Sequence, residues 1–500
     1  MVRSLKVGSF EVRKTSSSVK RRDGQIHAGS DIVYGSNGQT AAFVEEESST
    51  HTVHDTRNGY EDRQRNNGVD SGGFSHSYRC EKKWAVPVVC FLMYFLVAGF
   101  SGSFGALYTQ MLDEFGASRV ETSSVQATCI GVLGVSGLVT GAICDRLGVR
   151  KAGIYGGVMC SLGVTVSYFA TNISFLVISI GIVGGFGFSQ VFLVGIVSPV
   201  QYFEGKQLAF VTAFISSGIC VGGLVFPYVL TFLSEEFGLK GTFLICGGLL
   251  MNTIPASMIA QSSQSNTITN TQQNTDNVGN NAAMTSLIQF VCDFKDLLIN
   301  PQFVLFSLPL AITMACLNIP WMVVTDYMSS LGFENTEGVF ILTLINVTSI
   351  IARALLALLR TIPRLPVLLI PLIFAISGGA AMGIMPLTRG YIPTVVFMLV
   401  TNFGQGGIWS SYPLTTVELV NPRMYSTAVG LIMSVFGCGV MAGGPLSGML
   451  KDSTGVYDLA FYLGGGVCMV CAVVMTLSIC CARMKSRMYY NLDNSEHTPN

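Results

Sequence analysis

Charge is scarce in this sequence. Only 12% of its 500 residues are Asp, Glu, Lys or Arg, whereas 50% are hydrophobic and 55 residues are glycine. Soluble globular domains carry about 25% charged residues. The shortage argues against a soluble protein and indicates a chain that lies mostly in lipid.

Carboxylates and histidines are missing from the middle of the apolar stretches. The carboxylates Asp145, Asp326 and Glu418 fall at or near the ends of such stretches. All five histidines lie in the polar ends of the chain: His27, His51, His54, His76 and His497. The apolar stretches therefore lack the residues of a catalytic triad, a metal cluster or a phosphate loop. We expect no enzymatic activity, no cofactor, no metal site and no nucleic-acid partner.

The apolar residues form twelve long stretches. A bilayer core about 30 Å thick needs about 20 such residues for each helix, and backbone groups in lipid must be bonded within the helix itself. The stretches are 84–108, 123–144, 152–170, 174–197, 208–233, 241–260, 302–327, 339–359, 365–386, 392–416, 425–449 and 458–481. We predict an all-α membrane protein with twelve transmembrane helices, whose first partner is the lipid bilayer.

Polar segments divide these helices into two sets of six. The predicted domains are a disordered N-terminal tail at 1–83, a six-helix bundle at 84–260, a central loop at 261–300, a second six-helix bundle at 301–481, and a tail at 482–500. Polar, Ser- and Asn-rich segments of this kind cannot bury enough apolar surface to fold alone.

The distribution of Lys and Arg predicts the orientation. With both termini cytoplasmic, the outside loops hold only Arg119, Lys240, Arg389 and Lys451. Cytoplasmic loops carry the excess of basic residues in membrane proteins. We therefore expect a multi-pass plasma-membrane protein with both termini in the cytoplasm.

The junction between the second and third helices holds a cluster of charges in the stretch GAICDRLGVRKAG (141–153). Its members are Asp145, Arg146, Gly148, Arg150 and Lys151. A carboxylate there can pair with the arginines or with the end of a neighbouring helix. We predict that these residues form gating contacts, which break and form again as two bundles rock.

This stretch resembles the signature G-x-x-x-D-R-x-G-x-R-[RK] of the major facilitator superfamily. The resemblance implies two six-helix bundles and alternating access around a site near the membrane midplane. Within the superfamily, the chain resembles the monocarboxylate transporters in five stretches: SFGALYTQMLDEFGASRVETSS (103–124), YFEGKQLAF (202–210), GLKGTFLICGGLLMN (238–252), ELVNPRMYSTAVGL (418–431) and GGPLSGML (443–450). That family's D-G-G-W-G-W-like entry to helix one survives only as Trp84, which indicates a divergent member.

One charge, Arg353, lies inside a predicted helix, in LINVTSIIARALLALLR (344–360). A charge at the centre of a membrane helix costs about 2.5–3.5 kcal/mol on insertion scales. Monocarboxylate transporters often carry an arginine in helix eight in an A-R context, which Ala352–Arg353 matches. The resemblance implies that this guanidinium binds the substrate carboxylate, with which it can form two parallel hydrogen bonds. The alternative is a structural arginine bonded to backbone carbonyls.

The residues expected around Arg353 are uncharged. Proton-coupled members of the family carry an aspartate one turn before the arginine and a lysine in helix one, where this chain has Ser349 and Gly102. Other members carry an aspartate in helix ten, where this chain has Gln405. Asn318 and Trp409 complete the predicted substrate site. Because none of these residues titrates, facilitated transport is favoured over proton symport.

Helix two carries a glycine face. Gly131, Gly134, Gly137 and Gly141 recur at spacings of three, three and four residues. Small residues at such spacings let two membrane helices approach closely. We expect these glycines to serve packing rather than ligand binding.

The predicted function is a carrier that moves small organic anions, with a small carboxylate as substrate. Two alternatives stay open: a non-transporting sensor on the same fold, and a facilitator of neutral solutes. Members of the resembled family can also require a single-span ancillary glycoprotein for delivery to the surface, and the sequence leaves that partner open.

Overall fold

The computed structural model describes residues 72–260, 282–332, 335–362, 365–388 and 390–496. Most of the predicted N-terminal tail and the predicted loop at 261–281 lie outside these residues. All regular elements of the described part are helices. In the first half of the chain, which we take as residues 72–260, they are α1 Gly72–Gly102, α2 Tyr108–Phe115, α3 Arg119–Val135, α4 Gly137–Leu147, α5 Val149–Val166, α6 Ile173–Val200, α7 Gly205–Met251 and α8 Thr253–Ile259.

A connecting helix, α9 Ala282–Ile299, precedes the second half of the chain, residues 301–496. The helices of that half are α10 Pro301–Leu317, α11 Ile319–Ser330, α12 Asn335–Leu359, α13 Leu369–Ile384, α14 Tyr391–Leu419, α15 Tyr425–Thr454 and α16 Asp458–Glu496.

The predicted membrane stretches all fall on these helices. Nine helical segments of the described part are long and apolar enough to cross a membrane, and α3 and α4, bent by 48° against each other, make up to a tenth. The predicted stretch 208–233 lies in α7, and the stretch 241–260 lies in the end of α7 and in α8. Between the two stretches, Gly238 (φ 66°) interrupts the helical geometry of α7. The 29-residue helix α14 covers the stretch at 392–416. The predicted all-α fold is confirmed.

The predicted central loop at 261–300 is partly helical, which corrects the prediction. Helix α9 buries Leu297 and leaves Val291 and Ile299 exposed. A short amphipathic helix of this kind lacks the continuous apolar run that identifies a membrane span, so the sequence pattern gave no sign of it. Asn300 (φ −71°, ψ 100°) then breaks the helix before α10 begins. Helix α1 likewise begins at Gly72, inside the predicted tail.

The two halves of the chain meet along two seams. Helices α3 and α4 pack against α15, and α7 packs against α12 and more lightly against α14. We call the end of the molecule that holds Asp145 the Asp145 side, and the opposite end, which holds Asp326, the Asp326 side. Two predicted spans separate Lys206 from Asp145, and four more separate Thr361 from Lys206. Since an even number of crossings returns the chain to the same side, Lys206 and Thr361 both lie on the Asp145 side. The Lys206 ammonium donates to the Thr361 carbonyl over 3.1 Å there.

Candidate functional site

Arg353 is buried in the seam between α7 and α12. Only 3% of its surface is exposed. Its guanidinium donates from one terminal nitrogen to the Cys220 thiol of α7 and, over 3.1 Å, to the Ser349 hydroxyl one turn earlier on α12. Its Nε has no hydrogen-bond partner. Arg353 is therefore a buried cation whose donors are only partly satisfied.

The partners of Arg353 carry no negative charge. Lys240 pairs with Glu114, Arg360 with Glu418 and Lys451 with Asp326, whereas Arg353 makes no ion pair with a described residue. Burying an unpaired charge is costly unless an opposite charge or strong acceptors satisfy it. The arrangement favours an anion beside Arg353, and it does not match the alternative of an arginine bonded to backbone carbonyls.

Ser349 also marks the contact between α12 and α14. A Cβ atom added to Gly406 of α14 would lie 3.0 Å from the Ser349 Cα. One turn before Ser349, the Asn346 side chain faces Gly223 of α7, where an added Cβ would lie 3.2 Å from the amide oxygen. This part of α12 is therefore closely packed on both sides, against α14 of its own half and against α7 of the first half.

Two further predicted site residues lie together. The Gln405 amide of α14 donates to the Asn318 amide oxygen over 2.8 Å. Asn318 is half-buried and lies at the break between α10 and α11, two residues before Pro320. The two amides form a neutral polar pair inside the second half, so no titratable group is added at this position.

Trp409 lies in an aromatic cluster. Its ring packs edge-to-face against Phe192, Tyr412 and Phe436, with centroids 5.8, 5.8 and 5.0 Å away. Trp409, Phe192 and Tyr412 border a narrow, partly open cavity of about 10 Å³, which is room for about one water molecule. The Tyr412 hydroxyl is buried there without a hydrogen-bond partner. Beside the cavity, Ser216 of α7 and Ser410 of α14 share a 2.6 Å hydrogen bond.

Gly102 is not brought to the other predicted site residues by any contact of the described chain. It lies at the end of α1, where its carbonyl accepts a 3.4 Å hydrogen bond from Gln126. A Cβ added there would meet nothing within 4 Å. Its role in substrate binding stays a prediction.

The predicted gating cluster joins the two halves on the Asp145 side. The Asp145 carboxylate accepts hydrogen bonds from the Thr427 backbone nitrogen over 2.9 Å and from the Thr427 hydroxyl over 2.6 Å. Thr427 lies in the first turn of α15, where free backbone N–H groups and the helix dipole favour a negative charge. Of the two partners expected for Asp145, the structure thus places it on a neighbouring helix end.

The basic residues of the cluster face elsewhere. The Arg146 guanidinium lies over the Phe290 ring of α9, 5.5 Å from its centroid. Gly148 (φ 79°) makes the turn from α4 into α5, a backbone conformation that strains other residues. Arg150 and Lys151 are exposed in the first turn of α5.

Four residues of these contacts escaped the sequence analysis: Cys220, Ser216, Thr427 and Tyr412. Cysteine, serine, threonine and tyrosine are common inside membrane helices, so their identity alone gave no signal. The partners of Cys220, Ser216 and Thr427 are 133, 194 and 282 residues away in sequence. Only the packing of the two halves reveals them.

Comparisons with known proteins concern the family and the fold of the chain. A family model described as Major Facilitator Superfamily matches residues 90–437. Monocarboxylate transporter 4 of Gallus gallus is 25% identical over 79% of this chain and 82% of its own length. Monocarboxylate transporter 1 of Rattus norvegicus is 24% identical, over 79% of this chain and 84% of its own. The predicted resemblance to a divergent monocarboxylate transporter is confirmed.

Solved structures share the fold. The proton:xylose symporter XylE aligns with a TM-score of 0.63 at 12% identity, over 79% of this chain and 95% of its own. The human organic anion transporter MFSD10 (TETRAN) aligns with a TM-score of 0.61 at 14% identity, over 79% of this chain and 99% of its own. At such low identity these alignments support the fold alone.

Proposed function

Because the chain belongs to the Major Facilitator Superfamily, and is thus a membrane carrier rather than an enzyme, we propose that it carries small organic anions with one carboxylate by facilitated diffusion. The single observation behind the substrate class is Arg353, buried at the seam between the halves without an anionic partner. A substrate carboxylate would accept from its terminal nitrogens and from the free Nε, the bidentate geometry that arginine prefers.

The transport mode rests on the groups around this arginine. Cys220 and Ser349 are its hydrogen-bond partners, and the neighbouring Gln405–Asn318 pair is neutral. A proton-coupled carrier needs a group that changes its charge in step with substrate binding. The described surroundings of Arg353 offer no carboxylate for that task, so the proposal favours movement of the anion down its electrochemical gradient.

Alternating access is proposed to work through the seams. The Asp145–Thr427 and Lys206–Thr361 contacts close the Asp145 side. We take this side as cytoplasmic and the membrane as the plasma membrane, on the grounds of the Lys and Arg distribution. Rocking of the two halves would break these contacts and open the site to the cytoplasm.

Uptake into proteoliposomes made with the purified protein tests the proposal, and it removes any need for an ancillary glycoprotein in surface delivery. The substrates are radiolabelled monocarboxylates and aromatic amino acids, and a potassium gradient with valinomycin sets the membrane potential. We expect saturable carboxylate uptake that follows the potential and does not respond to a pH gradient at zero potential.

Arg353→Ala should reduce that uptake about 10–150-fold, since a hydrogen bond to a charged group contributes about 1.5–3 kcal/mol. Arg360→Ala is the matched control, because Arg360 follows α12 directly and pairs only with the partly exposed Glu418 over 3.9 Å. It should stay within about threefold of wild type. Full uptake by Arg353→Ala would contradict the carboxylate proposal and favour a neutral substrate. Uptake driven by a pH gradient would contradict the facilitative mode.

A further inference from the structure

The contact between Arg353 and Cys220 crosses from one half of the chain to the other. Cys220 lies on α7 and, like Arg353, is 3% exposed. Its thiol is the partner of a terminal guanidinium nitrogen. A guanidinium forms its strongest hydrogen bonds with a carboxylate. Here its partner is a thiol, whose sulfur is a weak acceptor.

Helix α7 presents Cys220 to the second half as part of a regular face. Ser216, one turn before it, bonds to Ser410, and Gly223, three residues after it, packs against Asn346. Positions four and three residues apart lie on the same face of a helix. Cys220 is therefore directed into the site and not toward lipid.

We infer that Cys220 is a specificity-determining residue of the anion site, an inference that rests on the proposed function. In the empty carrier its thiol holds the guanidinium in place. A carboxylate displaces the thiol, because it is a far stronger acceptor for the same donors. The thiol thus keeps Arg353 positioned without neutralising it, and the unpaired Nε remains available for the anion.

A carboxylate built into the protein at this position should compete with the substrate. Cys220→Asp would place a permanent anion beside Arg353 and pair it. We expect the melting temperature of the purified protein to rise by about 2–4 °C, and carboxylate uptake to fall at least about tenfold, mainly through a higher KM.

Two matched variants separate this effect from a general one. Cys246 lies on the same helix and is fully buried, and its described surroundings show no cation. Cys246→Asp should therefore lower the melting temperature or the folded yield. Cys220→Ala removes the thiol that holds Arg353 in place without adding a charge, so it should raise the KM for the carboxylate, by less than Cys220→Asp does.

A double variant provides the decisive comparison. Combined with Arg353→Ala, the aspartate at position 220 would be buried without a partner, so the rise in melting temperature should turn into a fall. If Cys220→Asp destabilises the protein as Cys246→Asp does, or leaves carboxylate uptake unchanged, the inference is wrong. If Cys220→Asp stabilises the protein while wild type transports no carboxylate of the panel, the proposed substrate class fails and the inferred specificity role fails with it, although the pairing at position 220 stands.

Discussion

The two seams between the halves are held by different kinds of contact. In the seam of α3 and α4 with α15, which we call the glycine seam, backbones touch: a Cβ added to Gly141 would lie 2.6 Å from the Ser426 carbonyl oxygen, and one added to Gly437 would lie 2.5 Å from the Gly134 Cα. In the seam of α7 with α12 and α14, the polar seam, the contacts are hydrogen bonds of Lys206, Ser216 and Cys220.

The difference separates two tasks of a carrier. The glycine seam combines backbone contacts, which depend on shape, with hydrogen bonds of Ser434 to Leu138 and Val135 and of Asp145 to Thr427. Hydrogen bonds to a thiol or a hydroxyl can be exchanged for bonds to a substrate at little net cost, because each side regains a partner. We therefore expect the glycine seam to guide the movement and the polar seam to respond to the substrate.

The largest effect is expected from a substitution that disrupts the glycine seam. Gly437→Ala inserts a methyl group 2.5 Å from the backbone of Gly134, where no side chain can move away. Overpacking of this kind costs about 1–3 kcal/mol or more, so the melting temperature should fall and uptake should be lost. Gly448→Ala on the same helix is the control, since an added Cβ there meets nothing within 4 Å. Equal behaviour of the two variants would show that the seam is not tightly packed in the membrane.

The second-largest effect is expected at the end of the glycine seam on the Asp145 side. Asp145→Asn keeps the shape of the side chain but removes the charge that accepts two hydrogen bonds from Thr427. The loss is about 1.5–3 kcal/mol of contact free energy, which should shift the population toward states open on the Asp145 side. Distances between spin labels at the exposed positions 207 and 423 measure that shift. Asp452→Asn, exposed on the Asp326 side, serves as control, and unchanged distances would remove Asp145 from the gate.

A smaller effect is expected in the polar seam. Ser216→Ala deletes the 2.6 Å hydrogen bond to Ser410 between α7 and α14. A neutral hydrogen bond contributes about 1 kcal/mol, so uptake should change by no more than about fivefold, with KM affected more than the melting temperature. Ser217→Ala is the matched control, because the Ser217 hydroxyl bonds only within its own helix, to the Phe214 carbonyl. A large loss of stability in Ser216→Ala would mean that the polar seam also carries the fold.

The smallest effect is expected for a contact outside both seams, and it serves as a reference for the effects of the seam variants. Just beyond the span that ends at Val324, Asp326 accepts hydrogen bonds from Lys451 and Tyr457, and the bond from Lys451 holds the pKa of the Asp326 carboxyl below its usual value. A lowered pKa contributes stability above the ordinary value, near 4, and that stability is lost as the pH falls through the folded-state value. Asp326→Asn should therefore lower the melting temperature at pH 7 by no more than the equivalent of about 1 kcal/mol, since the pair is partly exposed. Between pH 6 and 7.5 the difference should stay constant; a change within that range would contradict the assignment.

The fold and part of the site could be predicted from sequence for clear physical reasons. Span length and the glycine spacing are local properties of the chain, and the structure bears them out. Gly134, Gly137 and Gly141 do pack against the backbone of α15, as their spacing predicts, whereas Gly131 meets the Met441 side chain. The partners of Arg353 and Asp145 depend on how the halves meet, and no local pattern encodes that. Helix α9 was missed for a related reason, because its apolar residues cover only part of its surface.

The contact between Gly134 and Gly437 also bears on how much work the protein needs to change state. Side chains that interlock must change rotamer before two helices can turn, and each change raises the barrier. At the Gly134–Gly437 contact no side chain has to change rotamer, whereas beside it the Ser434 hydroxyl accepts from the Leu138 N–H and donates to the Val135 carbonyl, and these bonds have to break before the helices can turn. We therefore expect the rate of the conformational change to depend on the hydrogen bonds of Ser434, Asp145 and Cys220 more than on the glycine contact itself.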